Sequence, residues 1–138
     1  MPYYLAERSS EGVETVLRGA EPGTLRVSDL TVVEFAGALA RLARMGHLVG
    51  DARRVQQALD AHLGRGLERL AVAAHHYDLA AELLLHRPEL GLRTNDALHL
   101  AVAADHGETL MTLDQRFLHA ARTLGLDASD AGLVDDRG

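Results

Sequence analysis

Apolar positions along the chain fall into two kinds of block, some at helical spacing and some in short continuous runs, separated by glycine, proline and capping residues. Ser9 and Ser10 precede a short helical stretch through Leu17, ended by Gly19 and the Glu21-Pro22-Gly23 turn. Leu25-Arg26-Val27 follows as a brief strand. Ser28 or Asp29 then caps a helix to about Met45, with Val32, Phe35, Ala36, Leu39 and Ala43 at helical spacing and Gly46 as its stop. Asp51 caps a further helix carrying Val55, Leu59 and Leu63, closed by Gly64 and Gly66. The run Leu70-Ala71-Val72-Ala73 predicts a second strand, Asp78 to about His86 a helix, and Pro88 with Gly91 a break. Thr94 caps a strongly apolar helix from Asn95 to His106, with Gly107 just past its end. Thr109 to Leu113 reads as a strand, Asp114 caps a helix to about Leu124, and Gly125-Leu126-Asp127 adds a last short strand before a frayed tail at residues 135–138.

Short strands alternating with helices imply βαβ crossovers and a parallel sheet with helices on its faces. In such sheets the functional crevice lies at the carboxyl ends of the strands, so residues just after a strand are the first suspects. No repeat, linker or low-complexity tract divides the chain, which predicts one α/β domain over residues 1–138. Only the start is unusual: Met1-Pro2-Tyr3-Tyr4-Leu5 reads as the middle of an element.

The 138 residues, 47% hydrophobic and 25% charged, have ordinary globular usage. A chain of this length buries roughly two-thirds of its unfolded surface, so it needs no disulfide or metal to fold. The absence of cysteine excludes a disulfide framework, a thiolate zinc site and a cysteine nucleophile together. No apolar run approaches the ~20 residues of a membrane span, and no signal peptide opens the chain, so a soluble cytoplasmic protein is expected.

The formal charge is −6, from 20 acids against 14 bases, and every base is arginine. An acidic chain is a poor general binder of nucleic acid, since phosphate contacts need local positive charge. A bound divalent cation inverts that logic at an acid cluster, so charge alone does not exclude an enzyme acting on phosphates. The eight histidines lack zinc-ligand spacing, with no HExxH and no His-x-His. The adjacent His75 and His76 are expected to point in divergent directions. There is no GxxxxGK[ST] loop, GxGxxG fingerprint or GxSxG elbow; Gly64-Arg65-Gly66 is a turn. Aromatic residues are 4%, with no tryptophan, which argues against a base-stacking platform.

Three acids stand out. Asp96 shares a helical column with Leu100 and Ala103, so a carboxylate heads a line of core residues; a first-turn acid behind a Thr94 cap is the plain alternative. Asp114 follows a strand and opens a helix, either as an ordinary cap or as a carboxylate at the sheet's carboxyl edge. Glu34 groups with Thr31, Ala38 and Arg41, roughly opposite Val32, Leu39 and Ala43, which suits a solvated face paired with a charge two turns away. Clustered carboxylates without cysteine or histidine are natural ligands of Mg²⁺ or Mn²⁺, and a metal so held generates hydroxide and stabilises a phosphoryl transition state.

With these residues placed, the sequence resembles the PIN-domain family, specifically the VapC-type toxin ribonucleases of bacterial toxin–antitoxin pairs. The segments that carry the resemblance are YLAERSSEGVETVL, VSDLTVVEFAGALARL, LRTNDALHLAVAADHGETLMTLDQRF and AARTLGL. The third is the most specific: an Asp-Ala-Leu-His-Leu-Ala helix, a glycine, then a strand ending Thr-x-Asp. The resemblance implies a three-layer α/β/α sandwich around a short parallel sheet, and an Mg²⁺- or Mn²⁺-dependent endoribonuclease. Glu34, Asp96 and Asp114 look like its catalytic and metal-binding acids, and Thr112 like the hydroxyl residue two positions before the last acid. Arg41, Arg93 and Arg116 lie near these motifs as candidates for phosphate contact, Arg93 and Arg116 foremost. The family also implies a cognate antitoxin, an RNA substrate and a homodimer, with no membrane. One departure stands at the start. Family members open with an apolar strand ending in aspartate, whereas this chain enters after it, so the first strand and its metal-binding Asp are expected to be missing. Either the true start lies about ten residues upstream, or the chain is a shortened, catalytically inactive PIN-like interaction module.

Overall fold

The computed structural model describes residues 3–6, 23–46, 53–54, 56–57, 60–61 and 68–130. The strands are β1 (Tyr3–Leu5), β2 (Leu25–Ser28), β3 (Glu68–Leu70), β4 (Thr109–Met111) and β5 (Ala128–Ser129). The helices are α1 (Asp29–Arg44), α2 (Ala74–His86), α3 (Thr94–His106) and α4 (Gln115–Thr123), with a 3₁₀ turn at Pro88–Leu90. The sheet has the order β3-β2-β1-β4-β5, and every neighbouring pair is parallel. This is the α/β architecture the alternating pattern implies. The expected helix over 9–17 and the tail lie outside the described residues. Of the expected helix after Asp51, residues 53–54, 56–57 and 60–61 are described, and they are helical.

The centre of the sheet corrects one expectation. The middle position, predicted vacant, is filled by Tyr3–Leu5, which pairs with β2 on one side and β4 on the other. Tyr3 N–H donates to Thr24 O at 2.7 Å and Ala6 N–H to Met111 O at 2.9 Å. A gap here would leave two strands with unpaired buried backbone groups, each a costly loss. Tyr4 and Leu5 are both fully buried, as a strand covered on two faces requires. The strand is therefore present, but the residue that follows it is Ala6 and no aspartate.

Other expectations shift as well: the strand expected at residues 70–73 lies at Glu68–Leu70, the one expected at 125–127 at Ala128–Ser129, and Arg93, not Thr94, caps α3. Helix α2 begins four residues before Asp78, because His76 Nδ1 accepts the Ala73 N–H at 2.9 Å and caps the earlier turn. On α1 the inward residues are Thr31, Phe35, Ala38 and Leu39, while Ala36 and Ala43 are exposed. The Thr31 hydroxyl donates to Leu5 O at 3.2 Å, which turns its column onto β1. Glu34 thus borders the buried face of α1 and does not lie opposite it.

Helix α3 is buried from Asp96 through Ala103. Leu100 and Val102 join Tyr4, Leu110 and Phe117 in the main core, each contributing roughly 1.5–3 kcal/mol of burial. A helix buried this completely fixes whatever its first turn presents.

Candidate active site

Asp96 occupies the third position of α3, where its Oδ2 accepts the N–H of the capping residue Arg93 at 3.2 Å. The carboxylate thereby satisfies one of the helix's orphan donors and sits at the positive end of its dipole. Capping and exposure to a cavity turn out to be compatible. Asp114 caps α4, its Oδ1 accepting from Arg116 N–H at 3.0 Å and Phe117 N–H at 3.2 Å. Just upstream the Thr112 hydroxyl accepts the Asp114 N–H at 3.1 Å, and this bond turns the chain out of β4. Thr112 itself is fully buried. Its hydroxyl therefore positions Asp114 from within the core.

Asp96 and Asp114 line one small cavity of about 40 Å³, together with Arg93, Arg116, Gly91 and Phe117. That space exceeds the ~10–15 Å³ one water needs. Gly91 has φ +63°, and a side chain there would come within 3.9 Å of Arg116 Nη2. The left-handed turn it permits ends the 3₁₀ segment and leads the chain into Arg93.

Glu34 faces a neighbouring, wider groove of about 700 Å³, lined also by Leu30, Val33, Arg41, Arg93 and Asn95. Arg93 lines both spaces. Asn95 Nδ2 donates to Glu34 Oε2 at 2.9 Å, and His99 Nε2 to Oε1 at 2.5 Å. His99 Nδ1 meets the Tyr4 hydroxyl at 2.6 Å, and that hydroxyl donates to Ser28 Oγ at 2.8 Å. Burial pushes the Tyr4 phenol well above its ordinary range, so it remains a neutral hydrogen-bonding group. A chain of polar contacts thus runs from the first strand through α3 to Glu34.

Sequence reasoning passed over His99 and Asn95. His99 sits within an apolar run, yet it follows Asp96 by one helical turn, and that spacing was the available signal. The three expected acids do not form one three-ligand cluster. Among the described residues, the one set of three histidine or acidic side chains with ligand atoms within 4.8 Å of one another is His75, His76 and Asp105. Asp96 and Asp114 instead line one space and Glu34 a second, with Arg93 lining both. A hard divalent ion that keeps several waters is held through one or two carboxylates, and the donor set and space at Asp96 and Asp114 fit such an ion.

The model of the PIN domain matches residues 3–123. This chain belongs to the PIN-domain family. Solved structures share the PIN fold over nearly its whole length. The structure of PAE2754 from Pyrobaculum aerophilum superposes with a TM-score of 0.65 at 23% identity, covering 97% of this chain and 95% of that one. VapBC2 from Rickettsia felis, bound to a DNA fragment from their promoter, gives 0.65 at 19% identity, covering 94% and 98%. VapC20 from Mycobacterium tuberculosis, described as a Sarcin-Ricin loop cleaving toxin, gives 0.62 at 18% identity, covering 86% and 94%. No curated protein matches the chain. Among the described residues, no helix of this PIN domain is long and apolar enough to cross a membrane.

Proposed function

We propose that this PIN domain is a metal-dependent endoribonuclease and the toxin of a type II toxin–antitoxin pair, hydrolysing RNA phosphodiesters in the cytoplasm. The observation that carries the reading is the shared cavity of Asp96 and Asp114, which α3 and the end of β4 bring together between two arginines. Family membership and the likeness to VapC folds support it. Asp96 and Asp114 would hold Mg²⁺ or Mn²⁺, which supplies an activated water and neutralises charge on the phosphate. Arg93 and Arg116 hold phosphate oxygens beside the pair, and Arg41 extends the positive lining along the Glu34 groove. Glu34, fixed by His99 and Asn95, orients polar groups of the substrate or its attacking water as the third catalytic acid. A small antitoxin protein and a second copy of the chain are the partners this reading implies; the likeness to VapBC2 supports the first of them.

Cleavage of a single-stranded RNA oligonucleotide with added Mn²⁺ tests the proposal. Asp96→Asn abolishes the Mn²⁺-stimulated cut while the fold, followed by circular dichroism, persists. Unchanged cleavage in that variant sinks the assignment of Asp96.

One observation favours a second reading, a catalytically inactive PIN-like interaction module. β1 ends at Leu5 and is followed by Ala6, so no carboxylate directly follows the central strand. Under that reading calorimetric titration of Mn²⁺ gives no heat that depends on Asp96 or Asp114.

A further inference from the structure

Beyond the active-site cavities, the far end of α3 carries another set of ligating groups. A single oxygen of Asp105, Oδ2, meets His75 Nε2 at 3.1 Å and His76 Nε2 at 2.9 Å. The two rings come from consecutive residues in the first turn of α2, and their centroids lie 4.1 Å apart. The sequence spacing sends these side chains in different directions. The structure converges them: His76 folds back to cap Ala73, and both Nε2 atoms meet Asp105 Oδ2. His106 adds a further ring, 6.2 Å from His76.

We propose that His75, His76 and Asp105 form a binding site for a borderline divalent transition-metal ion, Zn²⁺ foremost, which pins the start of α2 to the end of α3. Two imidazole nitrogens and one carboxylate oxygen are a donor set suited to zinc, cobalt or nickel; Mg²⁺ and Mn²⁺ prefer oxygen alone. The three ligand atoms already lie within 4.8 Å of one another. His76 is held at both ring nitrogens and its side chain is 3% exposed, whereas those of His75 and Asp105 are 59% and 40% exposed. An ion can therefore enter from solvent, and waters complete its shell. Asp105 stands nine residues after Asp96 on α3, about 13 Å along the axis at 1.5 Å per residue. The two ends of the helix thus hold separate sites.

The proton balance sets the character of the site. Each Nε2 hydrogen that now points at Asp105 has to give way to the ion and move to Nδ1 of the same ring. For His75 this shift is unhindered by any described contact. In His76 the same shift turns Nδ1 from an acceptor into a donor, so the Ala73 N–H leaves it and turns to water, which partly exposed Ala73 can reach. The ion therefore competes with a helix cap, and no net proton is released from neutral rings.

Titration of zinc chloride into the metal-free full chain at about pH 7.5 tests the site, followed by calorimetry and thermal melting. The expected result is one equivalent of zinc bound, with a rise in Tm. His75→Ala and, separately, Asp105→Asn weaken binding roughly tenfold or more and remove the rise. Both side chains lie at the surface, and circular dichroism verifies that the variants fold. Asp96→Asn leaves the zinc isotherm as it was, and magnesium chloride gives no signal that depends on His75. The proposal is overturned if the wild-type chain binds no zinc, or if binding survives both His75→Ala and Asp105→Asn undiminished.

Discussion

The two ends of α3 present the same residue type in opposite company. At the start, Asp96 accepts a backbone N–H and shares a small cavity with two arginines and a second aspartate. At the finish, Asp105 is met by two imidazoles on one oxygen. The helix dipole favours the first acid and opposes the second, because the last turn exposes unpaired carbonyls. Asp105 therefore needs donors from another helix, and α2 supplies them. An acid at the positive end can face hard cations and phosphates; one at the negative end is committed to a nitrogen-rich neighbourhood.

The largest expected contrast comes from converting each acid to its amide. Asp96→Asn lowers Mn²⁺-stimulated RNA cleavage by at least ~100-fold, about 2.7 kcal/mol of transition-state stabilisation. Asp105→Asn leaves the cleavage rate within about twofold when measured without zinc. Equal losses in both variants would mean that the ends of α3 are one functional unit, and the comparison would fail.

Next in size is the packing that holds both ends in place. Leu100 lies between them in the main core and is 2% exposed. Leu100→Ala should cost about 2–5 kcal/mol in urea-induced unfolding, through lost burial and the cavity left behind. Because the damage is central, it reduces stability without favouring either end. A loss of cleavage at full stability would instead place Leu100 in the site.

Arg93 sharpens the active-site side of the contrast. It lines both the Asp96–Asp114 cavity and the Glu34 groove. Arg93→Ala is expected to raise KM for RNA about tenfold and to flatten its salt dependence, with a smaller change in kcat. An unaltered salt dependence would remove Arg93 from phosphate binding.

The two ends also differ in how readable they were from sequence. Asp96 and Asp114 stood out because each opens a helix beside an apolar run, a local signal that survives folding. The alternation of strands and helices likewise gave the parallel sheet. Four features were not local. Tyr3–Leu5 becomes a central strand because β2 and β4 both need a partner, which three residues cannot announce. His99 reaches Glu34 across 65 positions, and His76 reaches Asp105 across 29. The angle of α1 depended on the Thr31 hydroxyl finding Leu5 O, so the wheel placed Glu34 on the wrong side. Ligand spacing rules see neighbours along one element. They miss a site assembled from the start of one helix and the end of the next.

The smallest effect concerns the pH dependence of Asp105, whose folded carboxyl lies below its ordinary range because His75 and His76 donate to it. For an acid with a depressed folded pKa, the stabilisation is complete above the unfolded value near ~3.9 and is lost as pH falls through the folded one. Asp105→Asn should therefore lower Tm slightly at about pH 6, and the gap from wild type should close towards about pH 2. The site is exposed, so the difference is modest and shrinks with added salt. The melts are best run with a chelator present, so that zinc adds nothing to the wild-type value. A gap that stayed constant through the acid range would show that the carboxylate's charge does not stabilise this end of α3, and the contrast with Asp96 would rest on cavity geometry alone.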